Sequence, residues 1–211
     1  ARTLLSTKTG SLSRSASQSR VGTSRQPSFG ASTFTPVRGS TRPDAPTPEE
    51  LYARGLHMAT ATYERGDANL RAETSNNIDL SLRKTSGDTT FGVSVFRNRI
   101  NGYIHGTTLD ELDGLQLLQY TQQNATFTGI EAQVRQRLNR HAGVTLFGDA
   151  VRARLADGSL LPRIPPARAG LRLDATWNAW QGQVEWVQVA RQTRVAAFEQ
   201  PTAGYGMLNL G

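Results

Sequence analysis

The residues best suited to acid–base chemistry or metal ligation are three histidines, His57, His105 and His141. Cysteine is absent, which removes thiolate metal sites, cysteine nucleophiles and disulfide frameworks. The histidines fall in three different connections between apolar segments, so they offer no convergent triad or histidine cage. Serine is plentiful only near the N-terminus, and no glycine-rich phosphate loop is present. With no catalytic residue to name, an enzyme is not expected, and no cofactor is implied. What remains is a metal site. His57, Glu64 and Asp67 share one long connection, and an imidazole with two carboxylates suits a divalent transition metal. Solvated loop side chains are the plainer reading of the same three residues. Glu50 and Tyr52 read as capping and packing residues rather than ligands.

The elements that must position these residues are strands. Ile78, Leu80 and Leu82 alternate with Asp79, Ser81 and Arg83; Phe91, Val93 and Val95 alternate with Gly92 and Ser94. Ile130, Ala132 and Val134 alternate with Glu131, Gln133 and Arg135. Val144, Leu146, Gly148 and Ala150 share a face, as do Ala169, Leu171, Leu173 and Ala175. Val184 and Trp186, then Leu208 and Leu210, complete the series. Repeated period-2 alternation predicts about seven strands. The expected connections at 85–88, 139–141 and 177–181 are short, and those at 105–123, 155–166 and 192–202 are long. Strict alternation of short and long is the pattern of a membrane barrel with tight turns at one end and long loops at the other. The fold class expected is therefore all-β, an antiparallel transmembrane β-barrel fragment with short periplasmic turns and long extracellular loops. On this reading Leu80, Val134 and Leu173 face lipid, and Arg83, Arg135 and Arg172 face a wet lumen. Trp177 and Trp180 flank a turn, where an aromatic girdle belongs.

Composition agrees. No run of about 18 apolar residues exists, so no transmembrane helix is expected; a barrel escapes that test because half of each strand is polar. The net charge of +7 suggests nucleic acid, but its distribution does not. Residues 1–40 carry Arg2, Lys8, Arg14, Arg20, Arg25 and Arg38 and no acid, whereas the remainder is nearly neutral. Residues 1–40, rich in serine, threonine and arginine, show no apolar period. They are expected to be a tail, either disordered or not native to the fold. Residues 41–211 are expected to be the barrel part. Ala1 to Leu5 is too short an apolar run for a signal peptide, so an exported protein with this chain is expected to be a fragment.

Residues 43–74 contain Glu49-Glu50-Leu51-Tyr52 and then Gly66 through Thr74, with Leu70 and Glu73 at fixed spacing. This segment resembles the stretch of TonB-dependent receptors that reads R-A-P-x-x-x-E-L-Y, then G-N-P-x-L-x-P-E-T before entering a strand. Ala68 and Ala72 stand where that family has proline. Phe91 to Ile104, Asn124 to Val134, Leu161 to Arg168 and Arg191 to Tyr205 resemble further segments of the same family, in the same order. Together they cover residues 43–211. The stretch from His57 to Glu64 is similar to a ZnuD-like branch associated with zinc uptake.

The resemblance implies the C-terminal part of a receptor barrel, truncated at both ends, in the cell outer membrane. It implies contact with outer-membrane lipid and with the TonB complex through a plug domain that this chain lacks. It also implies a small nutrient or metal cargo, with zinc the favoured cargo and a ferric siderophore or haem the alternative. A porin or autotransporter barrel and a soluble β-sandwich binding module are the rival fold-level readings. No nucleic-acid partner is expected.

Overall fold

The computed structural model describes residues 32–211. It holds ten strands: β1 (Ser32–Asp44), β2 (Arg54–His57), β3 (Thr62–Arg65), β4 (Glu73–Lys84), β5 (Thr89–Leu112), β6 (Leu115–Arg137), β7 (Ala142–Leu155), β8 (Arg168–Trp177), β9 (Trp180–Val189) and β10 (Tyr205–Leu210). One short helix, α1 (Pro48–Tyr52), follows β1. Strands β1, β4, β5, β6, β7, β8, β9 and β10 form one continuous path of neighbours, and each pairing along it is antiparallel. β2 and β3 lie off this path; β3 pairs in parallel with the loop end of β6. The path is open, with β1 and β10 at its two ends.

The expected boundary at residue 41 falls inside β1. Residues 32–35 and 38–40, assigned to the tail, are paired with β4, with a register shift between Thr35 and Arg38; residues 1–31 lie outside the described residues. The strand adds an eighth member to the seven expected. It escaped a reading by alternation because Gly39, Ser40 and Thr41 leave no apolar face.

A larger correction concerns residues 105–123, expected to be a loop. They are the upper half of one tall hairpin: β5 and β6 are paired from Thr89 to the turn at Asp113 and Gly114. Both turn residues have positive φ, 51° and 78°, as a two-residue hairpin turn with matching twist requires. Above the membrane both faces are wet, so Thr107, Thr121, Gln119 and Gln123 carry no apolar period. Cross-strand polar contacts such as Thr107 Oγ1 to Thr121 Oγ1, 2.9 Å, hold the register instead. A membrane-crossing strand needs about 9–11 residues, so strands of 24 and 23 residues must rise well beyond the bilayer.

The register sorts the side chains onto two faces. One ladder runs Leu82–Val93–Ala132–Gly148–Ala169 and its neighbour Arg83–Gly92–Gln133–Phe147–Gly170. The first face carries Ile78, Leu80, Val95, Ile130, Val134, Leu146, Leu171, Leu173 and Trp186, all exposed; Leu146 and Leu173 are 59% and 48% exposed. The second carries Asp79, Glu131, Asp149, Asp174 and Glu185. Across the rows that hold this apolar band no aspartate or glutamate falls on the first face; Glu111, opposite Gln116 near the tip of the β5–β6 hairpin, lies beyond the band. A soluble sheet would cover such an apolar face with a second layer; here it is exposed along its length, as a sheet facing lipid requires. On the second face Phe96 and Phe147 lie over the glycines opposite them, Gly129 and Gly170, where a Cβ would collide with the ring.

The apolar band also drifts across the register. Its centre on β4, Leu80, lies in the row Leu80–Val95–Ile130–Ala150. That row continues to position 167 on the β8 side, because Asp149 pairs with Arg168. The band centre on β8 is near position 172. The drift is five residues over the four steps from β4 to β8, about 1.25 residues per strand, which at ~3.3 Å per residue and ~4.8 Å between strands corresponds to a tilt of about 40°. Barrel strands tilt by roughly 35–45°. Trp177 and Trp180, 65% and 81% exposed, mark the short-turn edge of the band.

Two outcomes follow from this geometry. Leu173→Arg should cost the assembled barrel roughly 2–4 kcal/mol, whereas Arg172→Leu should cost ~1 kcal/mol or less; folding yields into bilayers, measured side by side, check the difference, and equal losses would mean that the register or the barrel is wrong. In intact cells bearing the receptor, Asp113→Cys and Ser159→Cys should react with an impermeant maleimide and Asp88→Cys and His141→Cys should not. Labelling of all four would defeat the assignment of the short turns to the periplasmic side.

Candidate functional site

His57 and Glu64 are brought together by the β2–β3 hairpin, in which His57 pairs with Thr62. The imidazole Nδ1 stands 3.3 Å from Glu64 Oε1. Thr60 Oγ1 lies 2.9 Å from the same Nδ1 and 2.6 Å from Thr62 Oγ1, and Thr62 donates to Glu64 Oε1 at 3.1 Å. The parallel β3–β6 pairing sets Glu64 beside Leu118, and Tyr120 donates its hydroxyl to Glu64 Oε2 at 3.3 Å. Burial, followed by the charge of Glu64, pushes the Tyr120 phenol up to about 12. The carboxylate is largely buried while the imidazole is exposed.

Asp67 does not join them. Its carboxylate closes a local turn, accepting from the Asn69 backbone and side-chain amides, both at 2.9 Å. Among the described residues no group of three or more His, Cys, Asp or Glu converges. Glu50 is a capping residue, as expected: it accepts from the Thr47 backbone N–H at 2.8 Å, while Thr47 Oγ1 accepts from Glu50 N–H at 3.2 Å. Tyr52, expected to pack, is exposed.

The other histidines are far apart in the fold. His141 sits in the short turn between β6 and β7, against Trp177. His105 lies on the lumen-side face of the tall hairpin, stacked on Tyr103, with Nε2 3.4 Å from Thr121 Oγ1. Burial lowers its pKa, which keeps the ring neutral and available as an acceptor. Near it Asp157 accepts from Gln123 at 3.3 Å, and hydrogen bonds from Ser159 hold its carboxyl below the usual range. Sequence reasoning missed Tyr120 and the Tyr103–His105–Asp157 group because both depend on strands it took for a loop.

Two loops close over this mouth. Leu161, in the connection 156–167, is buried against Ala125, Phe127 and Ala153. The connection 190–204 is tied to it: Glu199 accepts from Arg163 N–H at 2.6 Å, and Gln192 donates to Ile164 O at 2.7 Å. Below the mouth the lumen-side face carries paired charges. Arg135 makes two bonds to Asp174, 2.5 and 2.6 Å, and Arg172 binds Glu185 at 2.5 Å.

Residues 6–211 match the family described as TonB dependent receptor-like, beta-barrel. The chain belongs to this family. Among solved structures, this TonB-dependent receptor chain is similar to the copper transporter OprC, with a TM-score of 0.72 and 19% identity, over 82% of this chain and 28% of that one. It is also similar to the ferric enterobactin receptor PfeA of Pseudomonas aeruginosa, TM-score 0.58, 18% identity, 82% and 29% covered. A third is the siderophore receptor PirA of the same organism, TM-score 0.55, 19% identity, 87% and 33% covered. The chain thus spans about a third or less of the receptors it matches. Fold and family are those of outer-membrane transport receptors rather than enzymes.

The Tyr120–Glu64 contact has a measurable consequence. The folded phenol titrates above its unfolded value, so it contributes stability fully present below pH ~10 that is lost as pH rises toward ~12. Glu64→Gln should lower the Tyr120 titration in ultraviolet difference spectra, with Tyr120→Phe identifying the signal. An unchanged curve would remove Glu64 as a cause.

Proposed function

We propose that this chain forms part of the wall of an outer-membrane receptor that takes up a scarce nutrient, with a metal ion as cargo. The uptake reading is carried by the sorted sheet: an acid-free apolar band outside, paired charges inside, and loops folded over the lumen mouth. Import in such a receptor depends on a plug that a periplasmic TonB complex displaces. The resemblance of residues 57–64 to a ZnuD-like branch supports zinc, as does the pair His57–Glu64, whose imidazole Nδ1 and carboxylate are ligand types for Zn²⁺. Asp67, the third expected ligand, would have to leave its own turn, an ordering cost the bound metal must offset.

A second reading has its own observation. His57 and Glu64 stand on the outward side of the tall hairpin, whereas Tyr103, His105 and Asp157 stand on the lumen side. Aromatic and imidazole groups at the mouth suit a bulky ferric siderophore or haem. The two readings separate in growth assays on the intact receptor. His57→Ala with Glu64→Ala should abolish zinc-limited growth at normal surface levels if zinc is the cargo. Unchanged zinc-limited growth, with iron-limited growth lost in His105→Ala, would put the siderophore or haem reading ahead.

A further inference from the structure

Four arginines stand on the apolar face at its loop end. Arg97 pairs with Thr128, which pairs with Arg152; Arg99 pairs with Thr126, which pairs with Arg154. No register shift interrupts these rows, the first in β5 coming after Ile100. Strand spacing of ~4.8 Å and a same-face repeat of ~6.6 Å place the four backbones in a rectangle of about 10 by 7 Å. All four residues are exposed. None takes part in an ion pair among the described residues. Their row neighbours Ile78 and Asn76 are uncharged, and the nearest acids of these strands in the register, Glu131 and Asp149, face the lumen, while Glu111 stands twelve residues beyond Arg99 at the hairpin tip.

Their depth is informative. The band centre is Val93 on β5 and near position 147 on β7, so the arginines lie four to seven residues toward the loops. At a tilt of about 40° each residue rises ~2.5 Å, placing them roughly 10–18 Å from the mid-plane. The apolar band of a barrel is about 25 Å tall, so it ends at ~12 Å. The guanidiniums therefore sit where acyl chains give way to headgroups, their stems able to lie along the band.

We propose that Arg97, Arg99, Arg152 and Arg154 bind the phosphate groups of an outer-leaflet lipid. Guanidinium forks match phosphate oxygens in pairs, and the Thr126 and Thr128 hydroxyls between the two arginine columns add donors. A cavity of about 400 Å³ bordered by Thr41, Asn76, Ile78, Arg97 and Arg99 offers room for the headgroup. The patch is continuous with a surface that only acyl chains can cover, which favours a lipid over any soluble anion. The inference rests on the membrane placement of the sheet and not on the cargo.

The test uses the intact receptor in nanodiscs of zwitterionic phospholipid, titrated with diphosphorylated lipid A and with its dephosphorylated form, binding being read by native mass spectrometry. Arg97→Gln with Arg152→Gln is compared with the charge-matched Arg83→Gln with Arg140→Gln. One basic side chain at an anionic surface is worth about fivefold, so the first pair should weaken lipid A binding roughly 25-fold and the second should not. Dephosphorylated lipid should not distinguish them. Heat-modifiable gel mobility confirms that each variant is a folded barrel, so failure of the fold is separable from failure of the site. Equal weakening by both pairs would overturn the proposal, as would competition by millimolar inorganic phosphate, which would mark a free-anion site.

Discussion

Everything in this sheet depends on one constraint: in lipid, no backbone N–H or C=O can go unpaired. Long, continuous antiparallel ladders meet it between β1 and β10. Because a strand sends alternate side chains to opposite sides, satisfying the backbone also fixes which residues meet lipid and which meet water. One slipped residue would carry Asp79, Glu131, Asp149, Asp174 and Glu185 into hydrocarbon. Their confinement to one face is thus a property of the whole register, and the tilt recovered from the drift of the apolar band follows from the same ladders.

That constraint also decides what sequence could reveal. Where the two faces meet different media, alternation is strong, and β4, the lower halves of β5 and β6, and β7 through β10 were legible from Ile78 to Leu210. Where both faces are wet the signal vanishes. The upper hairpin from His105 to Gln123 is paired too, with one register shift after Thr108, yet its threonines and glutamines satisfy water on both sides and read as a loop. β1 was lost for a related reason, with Gly39 to Thr41 too small and polar to show a face.

The candidate site divides along the same line. His57 and Glu64 were legible because a short hairpin makes sequence neighbours spatial neighbours. Asp67 was equally near in sequence, but its carboxylate is consumed by the Asn69 turn, a local competition that a ligand count ignores. Tyr120 lies far along the chain from Glu64 and reaches it only through the parallel β3–β6 contact. Nothing in either segment's composition announces that pairing.

Arginine shows most clearly that position in the sheet, not residue type, sets chemical role. Arg135 and Arg172 point inward and are matched by Asp174 and Glu185. These pairs remain partly exposed, so each is worth ~1 kcal/mol or less, and they serve register more than stability. They also leave little free charge on that part of the wall for a passing cargo. Arg97, Arg99, Arg152 and Arg154 point outward and meet no carboxylate, because an acid beside them would stand at the edge of hydrocarbon and repel anionic headgroups. A cation there can be matched by the lipid itself; an anion cannot. The asymmetry between an inner face that neutralises its own charge and an outer rim that leaves only positive charge is therefore what a sheet between water and a phosphate-bearing leaflet should carry.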